Sequence, residues 1–477
     1  MEGTMKDTIQ TGHSGAITPQ GSAMFSWRSV VRLGLVQACL GAVVVLTTST
    51  LNRVMVVEHA LPAMIPGLLV ALHYIVQMTR PRMGWGSDVG GRRTPWIIGG
   101  MAVLALGGFL AACATVLMAT SRTQGFVLAV LAFTLIGLGV SASGTSLLVL
   151  LAKRVDDGRK AGAATVVWLM MIAGFALTAG IAGKLLDPYS GARLLAVSGG
   201  VSVLALLVSC IALWGIEGAR PAQQAVAPAE AAREDFRAAL REVWADPTAR
   251  RFTLFVFTSM LAYSAQDLIL EPFAGMVLGF TPGESTGLSG VQHGGVLAGM
   301  LLVALAAGRG RGRQIGSLKA WCVGGCIASA LAMMGLVMTA FVGNAWPFKA
   351  TVFILGVANG AFSIAAIGSM MSLASATGPS NTTSGATARR REGTRMGLWG
   401  AAQAIAFGLG GFAGTVASDV ARWLLGSAAA GYASVFALEA VFFLVAAALA
   451  ASLGQQFVSR ARTHRIPDAL VAQLEQR

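Results

Sequence analysis

The chain has 477 residues, of which 55% are hydrophobic and only 12% charged, with a net charge of +14. Soluble domains carry about 25% charged residues, and disordered chains lack this much apolar surface, so both classes are excluded. A mean hydropathy of +0.69 leaves an all-α membrane protein as the fold class. The five cysteines are scattered through apolar runs and form no disulfide framework. The positive charge sits in short loops between apolar runs, as membrane topology imposes, and does not mark a nucleic-acid partner. Residues 1 to 26 are polar and have no apolar h-region, so they read as a disordered cytoplasmic tail rather than a signal peptide.

A membrane-spanning helix needs about 20 mostly apolar residues. Twelve segments qualify. The first six are Val31–Met55, Ala60–Met78, Trp96–Met118, Gly125–Leu151, Ala161–Leu186 and Leu194–Trp214. The second six are Phe252–Leu278, Thr286–Ala307, Leu318–Phe341, Phe348–Leu373, Met396–Leu424 and Tyr432–Leu453. Pro, His, Gln and Gly interrupt the second and the eighth. With the N-terminus inside, only Arg53, Arg122, Lys184, Arg193, Lys349 and Arg422 of the chain's 35 Lys and Arg fall on the outer side. Both termini are therefore expected in the cytoplasm. The expected organisation is an N-terminal tail (1–27), a six-helix bundle (28–216), a cytoplasmic linker (217–250), a second six-helix bundle (251–454) and a C-terminal tail (455–477).

The linker contains Glu234 to Trp244, in which Phe236, Leu240 and Val243 share one helical face. This segment reads either as an amphipathic helix at the inner bilayer surface or as a linker helix packed on the bundle. The loop after the second span holds Gly84, Asp88, Gly91, Arg92 and Arg93. Glycines permit a tight turn there, and the Asp can pair with an arginine or a helix N-terminus, coupling the two halves. The corresponding loop after the eighth span keeps Arg309, Arg311 and Arg313 but has no Asp. Six spans, a long basic loop and six more spans, together with this Gly/Asp/Arg loop, resemble the major facilitator transporters.

Ionisable groups inside a membrane are costly and default to functional candidates. Asn52, Arg53 and Glu58 end the first span, and Gln266, Asp267 and Glu271 lie in the outer half of its repeat equivalent, the seventh. Arg53 with Asp267, or Arg53 with Glu271, would form either a gate or substrate clamp, or a structural ion pair tying the halves together. Glu439 is the other charge that stands out. His73 and His293 lie in the repeat-equivalent second and eighth spans, with Gln77 and Gln292 close by in sequence and Asn359 in the tenth. A neutral imidazole in a membrane can ligate the magnesium of a chlorin, or simply hydrogen-bond a neighbour. The Gly294–Gly295 pair beside His293 could leave a flat gap for a ring. Glycines such as Gly137, Gly139, Gly144, Gly408, Gly410, Gly411 and Gly414 read as small-residue packing faces. Cys322 and Cys326 sit one helical turn apart without a nearby His, so no metal site is expected. The chain has no phosphate-binding loop, zinc-protease motif or nucleophile elbow, so no enzyme is indicated.

Several strings are more specific. They are Leu-Asn52-Arg53-Val-Met-Val-Val-Glu58, Pro66-Gly67 through His73-Tyr74, Thr79 through Trp96, Gln266-Asp267-Leu-Ile-Leu-Glu271-Pro272-Phe273, and Met396-Gly397-Leu-Trp399-Gly400-Ala-Ala-Gln403. Between about Trp27 and Leu453 the chain resembles the bacteriochlorophyll delivery family, the PucC/LhaA-type proteins of purple phototrophic bacteria, and within it the LhaA type that serves the core antenna (light-harvesting 1). The resemblance implies an assembly factor in the photosynthetic intracytoplasmic inner membrane. Such a factor binds bacteriochlorophyll, with carotenoid as a second pigment, and passes it to the α and β antenna polypeptides, with pigment-synthesis enzymes as further partners. On that reading His73 and His293 are the leading pigment ligands and Gln77, Gln292 and Asn359 the weaker ones. Asn52, Arg53, Glu58, Gln266, Asp267 and Glu271 shape or gate the pocket. The alternatives are a secondary transporter of a small solute, with Asp267 or Glu271 carrying the proton, and a pigment-free scaffold that recruits partners through residues 234–244.

Overall fold

The computed structural model describes residues 25–80, 83, 92–156, 159–217, 244–245, 247–307, 315–374 and 385–453. Gly84, Asp88 and Gly91 of the loop motif, the Arg309–Arg313 loop, the face of the 234–244 segment, residues 1–24 of the N-terminal tail and the C-terminal tail lie outside them. The described chain is all-helical. Its principal helices are α1 (Trp27–Val45), α2 (Met64–Val76), α3 (Thr94–Leu117), α4 (Arg122–Arg154), α5 (Lys160–Leu186), α6 (Gly191–Leu213), α7 (Pro247–Leu278), α8 (Pro282–Ala307), α9 (Leu318–Val342), α10 (Phe348–Ala374), α11 (Gly385–Leu425) and α12 (Ala428–Ser452). Among the described residues, eleven helices are long and apolar enough to cross a membrane, and Met64–Thr79 is a shorter apolar helix. The second segment, interrupted by Pro66, Gly67 and His73, is thus the short one, whereas the eighth reaches full length.

Two helices depart from regularity, and the sequence supplies both causes. Beyond Val45, α1 continues through two π-helical stretches, Leu46–Leu51 and Val54–Glu58. Here the hydroxyls of Thr47 and Thr48 both donate to the Val44 carbonyl, at 2.7 and 3.1 Å. Side-chain donors that compete for a ladder carbonyl loosen the regular i to i−4 pattern, and π turns of this kind favour functional sites. Helix α7 carries Pro272 in its interior. Proline has no N–H, so the carbonyl four residues back, Leu268, loses its helical donor.

Packing follows a six-plus-six repeat. Helix α3 packs on α4 as α9 does on α10; α1 on α5 as α7 on α11; α1 on α6 as α7 on α12; and α2 on α4 as α8 on α10. One large apolar core lies among α1–α6 and a second among α7–α12. Two crossings, α2 with α11 and α5 with α8, join the halves and are themselves exchanged by the repeat. The α5–α8 crossing is backbone on backbone: a Cβ at Gly183 would come within 2.6 Å of Gly287 N, and one at Gly290 within 2.8 Å of Gly180 N. Gly137, Gly139, Gly410 and Gly414 similarly face a neighbouring helix at close range, the packing role expected of them. Exposed Leu, Ile, Val and Phe cover the outer helix faces, and Trp214 and Trp423 stand out at opposite ends, 84% and 81% exposed. Apolar belts edged by Trp belong in lipid, and the chain is a multi-pass membrane protein. Cys322 and Cys326 are buried free thiols, and no metal-ligating cluster occurs among the described residues.

The end at which α1 begins is basic, and its charges serve as helix caps. Arg32 donates to the carbonyls of Ala212 and Trp214 at the end of α6. Arg251 and Lys319 do the same for Ser452 and Leu453 at the end of α12, its repeat equivalent. Arg154 and Arg159 lie over the rings of Phe25 and Trp27. Glu217 accepts from the backbone N–H groups of Arg93 and Thr94, at 2.9 and 2.7 Å, and so closes the N-terminus of α3. Burial alone would push this carboxyl up, but those N–H bonds and the Arg93 charge outweigh it and hold Glu217 below the usual carboxylate range. A depressed carboxyl stabilises above its ordinary value and loses that contribution as pH falls through the folded-state value. Glu217→Gln should therefore cost about 1 kcal/mol at neutral pH, the scale of a helix cap. Thermal unfolding in detergent should show the gap to the parent narrowing once the pH drops below about 4, the ordinary carboxylate range.

Candidate functional site

The polar residues at the far end of α1 meet α7 and α8. The Leu268 carbonyl freed by Pro272 accepts from Asn52 Nδ2 at 2.6 Å. One turn along α7, Glu271 Oε1 contacts the hydroxyls of Ser49 and Ser289. Those two hydroxyls are 2.9 Å from each other. Beside them Thr50 and Thr286 pair at 3.0 Å. Arg53 donates to the Phe280 carbonyl at 2.6 Å. Ser49, Thr50, Asn52, Arg53, Glu271, Thr286 and Ser289 are all buried. Four polar side chains within five residues, Ser49, Thr50, Asn52 and Arg53, thus reach the second half from the extension of α1.

An ion pair between Arg53 and a carboxylate of α7 was the expectation from sequence. Arg53 instead forms its ion pair with Glu58, on its own helix. The second π turn brings the Glu58 carboxylate back over the guanidinium, and the link to the other half runs through a neutral carbonyl. Asp267 accepts from Gln292 Nε2 at 2.9 Å, within the second half. It keeps partial exposure while its neighbours Gln266 and Leu268 are buried. Asp267 also lies within electrostatic reach of His293, Tyr74, Tyr263 and Glu439. Tyr74 and Tyr263 both pack against Phe407, with ring centroids 5.7 and 5.8 Å away. Asp267, Gln292, His293 and the two tyrosines thus form a polar centre between the halves.

Both candidate histidines are buried, His73 at 3% and His293 at 5% exposure. His73 Nδ1 is 2.8 Å from the Val70 carbonyl and His293 Nδ1 2.9 Å from the Ser289 carbonyl. A carbonyl can only accept, so each Nδ1 carries a proton, and Nε2 is the nitrogen that offers a lone pair when the ring is neutral. His293 meets Phe175 of α5 edge-on at 5.0 Å, and His73 stacks beside Tyr74 at 4.2 Å. Of the glycine pair, Gly294 faces open space, but a Cβ at Gly295 would come within 2.4 Å of the Phe353 carbonyl. Gly295 therefore serves the α8–α10 crossing. Gln77 accepts from Arg80 near the basic end. Asn359 is bound by Ser329 at 2.8 Å, inside the second half. These two sit apart from the polar centre.

Sequence reading did not single out Asp187 and Asp419. Asp187, just past α5, accepts from Thr281 Oγ1 at 2.9 Å and Gly283 N at 3.3 Å, at the start of α8. Asp419, near the end of α11, accepts from Ala63 N at 3.0 Å and Met64 N at 2.8 Å, at the start of α2. The two carboxylates hold equivalent helix N-termini across the two equivalent crossings, where a negative charge is favoured. The available signal was their shared position, at the C-terminal ends of the equivalent helices α5 and α11. Ser49 and Ser289 carried no signal, since membrane helices hold many serines bonded to their own backbone.

Asn52 answers a carbonyl that only a proline leaves free, so the two positions should be coupled. Asn52→Ala should cost about 1–3 kcal/mol, the range for a buried group left unsatisfied. In a Pro272→Ala background the new backbone N–H can serve Leu268, and the same change should cost at least about 1 kcal/mol less. Additive losses in a detergent unfolding cycle would show that Pro272 does not create the acceptor.

Comparisons with known proteins give the family and the fold. Residues 50–457 match the family described as PUCC protein. The chain is 52% identical, over 89% of its length and 95% of the relative's, to a Rhodobacter capsulatus protein named bacteriochlorophyll synthase 44.5 kDa chain. It is 31% identical, over 88% and 90%, to Protein PucC of Cereibacter sphaeroides. Among solved structures, a D-xylose–proton symporter matches with a TM-score of 0.67 at 12% identity, covering 91% of this chain and 98% of that one. An inward-facing bacterial homologue of the lysosomal transporter Spinster matches at 0.63 and 17%, covering 88% and 95%. At these identities the two structures speak for the fold alone, that of the major facilitator transporters. The family match spans most of the chain, and the protein belongs to the PucC family.

Proposed function

We propose that this protein is an assembly factor for photosynthetic light-harvesting complexes, the core antenna foremost, which holds bacteriochlorophyll and delivers it to the α and β antenna polypeptides. The observation that carries the reading is the pair of buried imidazoles, each pinned through Nδ1 so that Nε2 keeps its lone pair. A carbonyl bonded to the far nitrogen is the usual way a protein orients a histidine toward a metal. His73 and His293 would hold the pigment magnesium, with Gln292, next to His293 in sequence, as a weaker ligand. Bound pigment would supply the magnesium and a large apolar ring. The side chains around it, Tyr74, Phe407 and Phe175, are aromatic and suit such a ring. Both rings are buried in the present arrangement, so ligation goes with movement of the helices around them. A carotenoid would be a second apolar ligand, held without any magnesium ligand.

The rest of the reading is topological. Helix α2 with its 3-10 turn, Met64–Thr79, is taken as a twelfth span, short but sheltered by α4 and α11. The basic end faces the cytoplasm together with both termini, and the membrane is the photosynthetic inner membrane. We read the protein as a non-enzyme, although its Rhodobacter capsulatus relative carries the name of a synthase chain. The fold also supports a second reading, a solute transporter with Asp267 at its polar centre. Proton-dependent uptake into vesicles, abolished by Asp267→Asn, would mark that alternative.

The test is an absorption spectrum of the protein purified in mild detergent from a pigment-making phototroph without antenna polypeptides. A near-infrared band should co-migrate with the protein, and His73→Phe or His293→Phe should shift or remove it. A colourless, folded protein would overturn the pigment reading. A band unchanged in both variants would remove the two histidines as ligands.

A further inference from the structure

Ser49 Oγ, Ser289 Oγ and Glu271 Oε1 touch one another in all three pairs. Ser49 and Ser289 are 2.9 Å apart, Ser289 and Glu271 are 2.5 Å apart, and Ser49 lies directly against Glu271. Three such contacts need three protons. Each hydroxyl supplies one, and an ionised carboxylate supplies none. With Glu271 ionised, one contact would press two lone pairs together in a buried site. With Glu271 protonated the ring closes: Glu271 donates to Ser49, Ser49 to Ser289, and Ser289 back to Glu271. A second observation agrees. Glu271 is 1% exposed, and its Oε2 has no hydrogen-bond partner among the described residues. A buried carboxylate anion with one oxygen bare is far costlier than a neutral acid in the same place. The nearest cation, Arg53, is committed to Glu58 and the Phe280 carbonyl.

We propose that Glu271 is a proton-binding site whose proton closes the three-oxygen ring joining α1 to α7 and α8, and that loss of this proton to water opens the joint. The other titratable and charged groups around it are few. They are Arg53 and Glu58 on the extension of α1, Asp267 and Tyr263 on α7 itself, His293 and Glu284 on α8, and Glu439 and Tyr432 on α12. Asp419 and Arg422 of α11, Lys349 of α10, Tyr74 of α2 and Asp187 lie further out. Asp267 and Glu439 are the carboxyls whose signals could be mistaken for that of Glu271. The inference goes beyond pigment delivery, and its test needs no pigment.

The experiment uses the full chain in detergent. An infrared spectrum at neutral pH should contain a protonated-carboxyl stretch that disappears in Glu271→Gln, while any Asp267 and Glu439 signal persists. Spin labels at Gln124→Cys and Asn344→Cys, exposed positions at the far end of each half, report the joint, with the partly exposed Cys113 and Cys210 replaced by Ala. The label distance should lengthen in alkaline buffer in the parent. It should stay short in Glu271→Gln, whose amide can donate to Ser49 in place of the proton. Parent-like lengthening in Glu271→Gln, or no carboxyl band lost, overturns the proposal. Should that variant fail to fold, Ser289→Ala keeps the carboxyl and removes one of its bonds. The band must then shift, and an unmoved band overturns the proposal as well.

Discussion

A proline in the last two turns of α7 sets the joint between the two halves. Pro272 leaves the Leu268 carbonyl without a helical donor in a place where water does not reach, and Asn52 of α1 supplies one. An unsatisfied carbonyl in a membrane interior costs several kcal/mol, so this one bond fixes the register of α1 against α7. Once Asn52 is placed, its neighbours have little freedom. Ser49 falls against Glu271, Thr50 against Thr286 and Arg53 against the end of α7. Ser49, Asn52 and Arg53 share one helical face by their spacing of three and four residues. The π-helical stretch, where the hydroxyls of Thr47 and Thr48 bond the Val44 carbonyl, carries Ser49 and Thr50.

The flanking contacts obey the repeat, and the central joint does not. Asp187 holds the start of α8 and Asp419 the start of α2, each through backbone N–H groups at the outer end of an equivalent crossing. Charge-assisted bonds of this kind are worth about 1.5–3 kcal/mol each. They act on the two seams in parallel, so neither seam can part at that end without the other feeling it. The joint of α1 with α7 is one-sided by contrast. The hydroxyls and the amide come from α1 and α8, and the acceptor carbonyl and carboxyl from α7. Repeat symmetry sets where the halves meet, and departures from it set what chemistry the meeting place holds.

The span pattern was legible because apolar length is an additive property of a window, and tertiary context seldom overrides it. The polar ends of α1 and α7 were legible for a related reason: Asn, Arg, Asp and Glu inside apolar runs are rare enough to stand out. Their partners were not legible. Arg53 has carboxylates within reach on either helix, and only the π turn, which no pattern in the string announces, decides for Glu58. The histidines could be named but not their tautomers, because those depend on a carbonyl three or four residues away being free to accept. Gly295 illustrates the remaining ambiguity. A glycine that could make room for a ring and one that lets two backbones touch look alike in sequence, and the Phe353 carbonyl settles which it is.

The charges are distributed so that Arg53 finds its counter-ion on its own side of the joint. Arg53 and Glu58 neutralise each other on α1. Asp267 takes its hydrogen bond from Gln292, within the second half. Drawing α1 away from α7 would therefore break hydrogen bonds to two backbone carbonyls, one from Asn52 and one from Arg53, to Glu271 and between two threonines, yet it would leave no ion pair split across the gap. Splitting a buried ion pair leaves an uncompensated charge and costs about 3–5 kcal/mol, whereas neutral hydrogen bonds that can re-form with water cost about 1 kcal/mol each. A joint built this way is tight when dry and inexpensive to hydrate. It can hold one arrangement firmly without making the other inaccessible, which any protein that must take in and release a large apolar ligand requires.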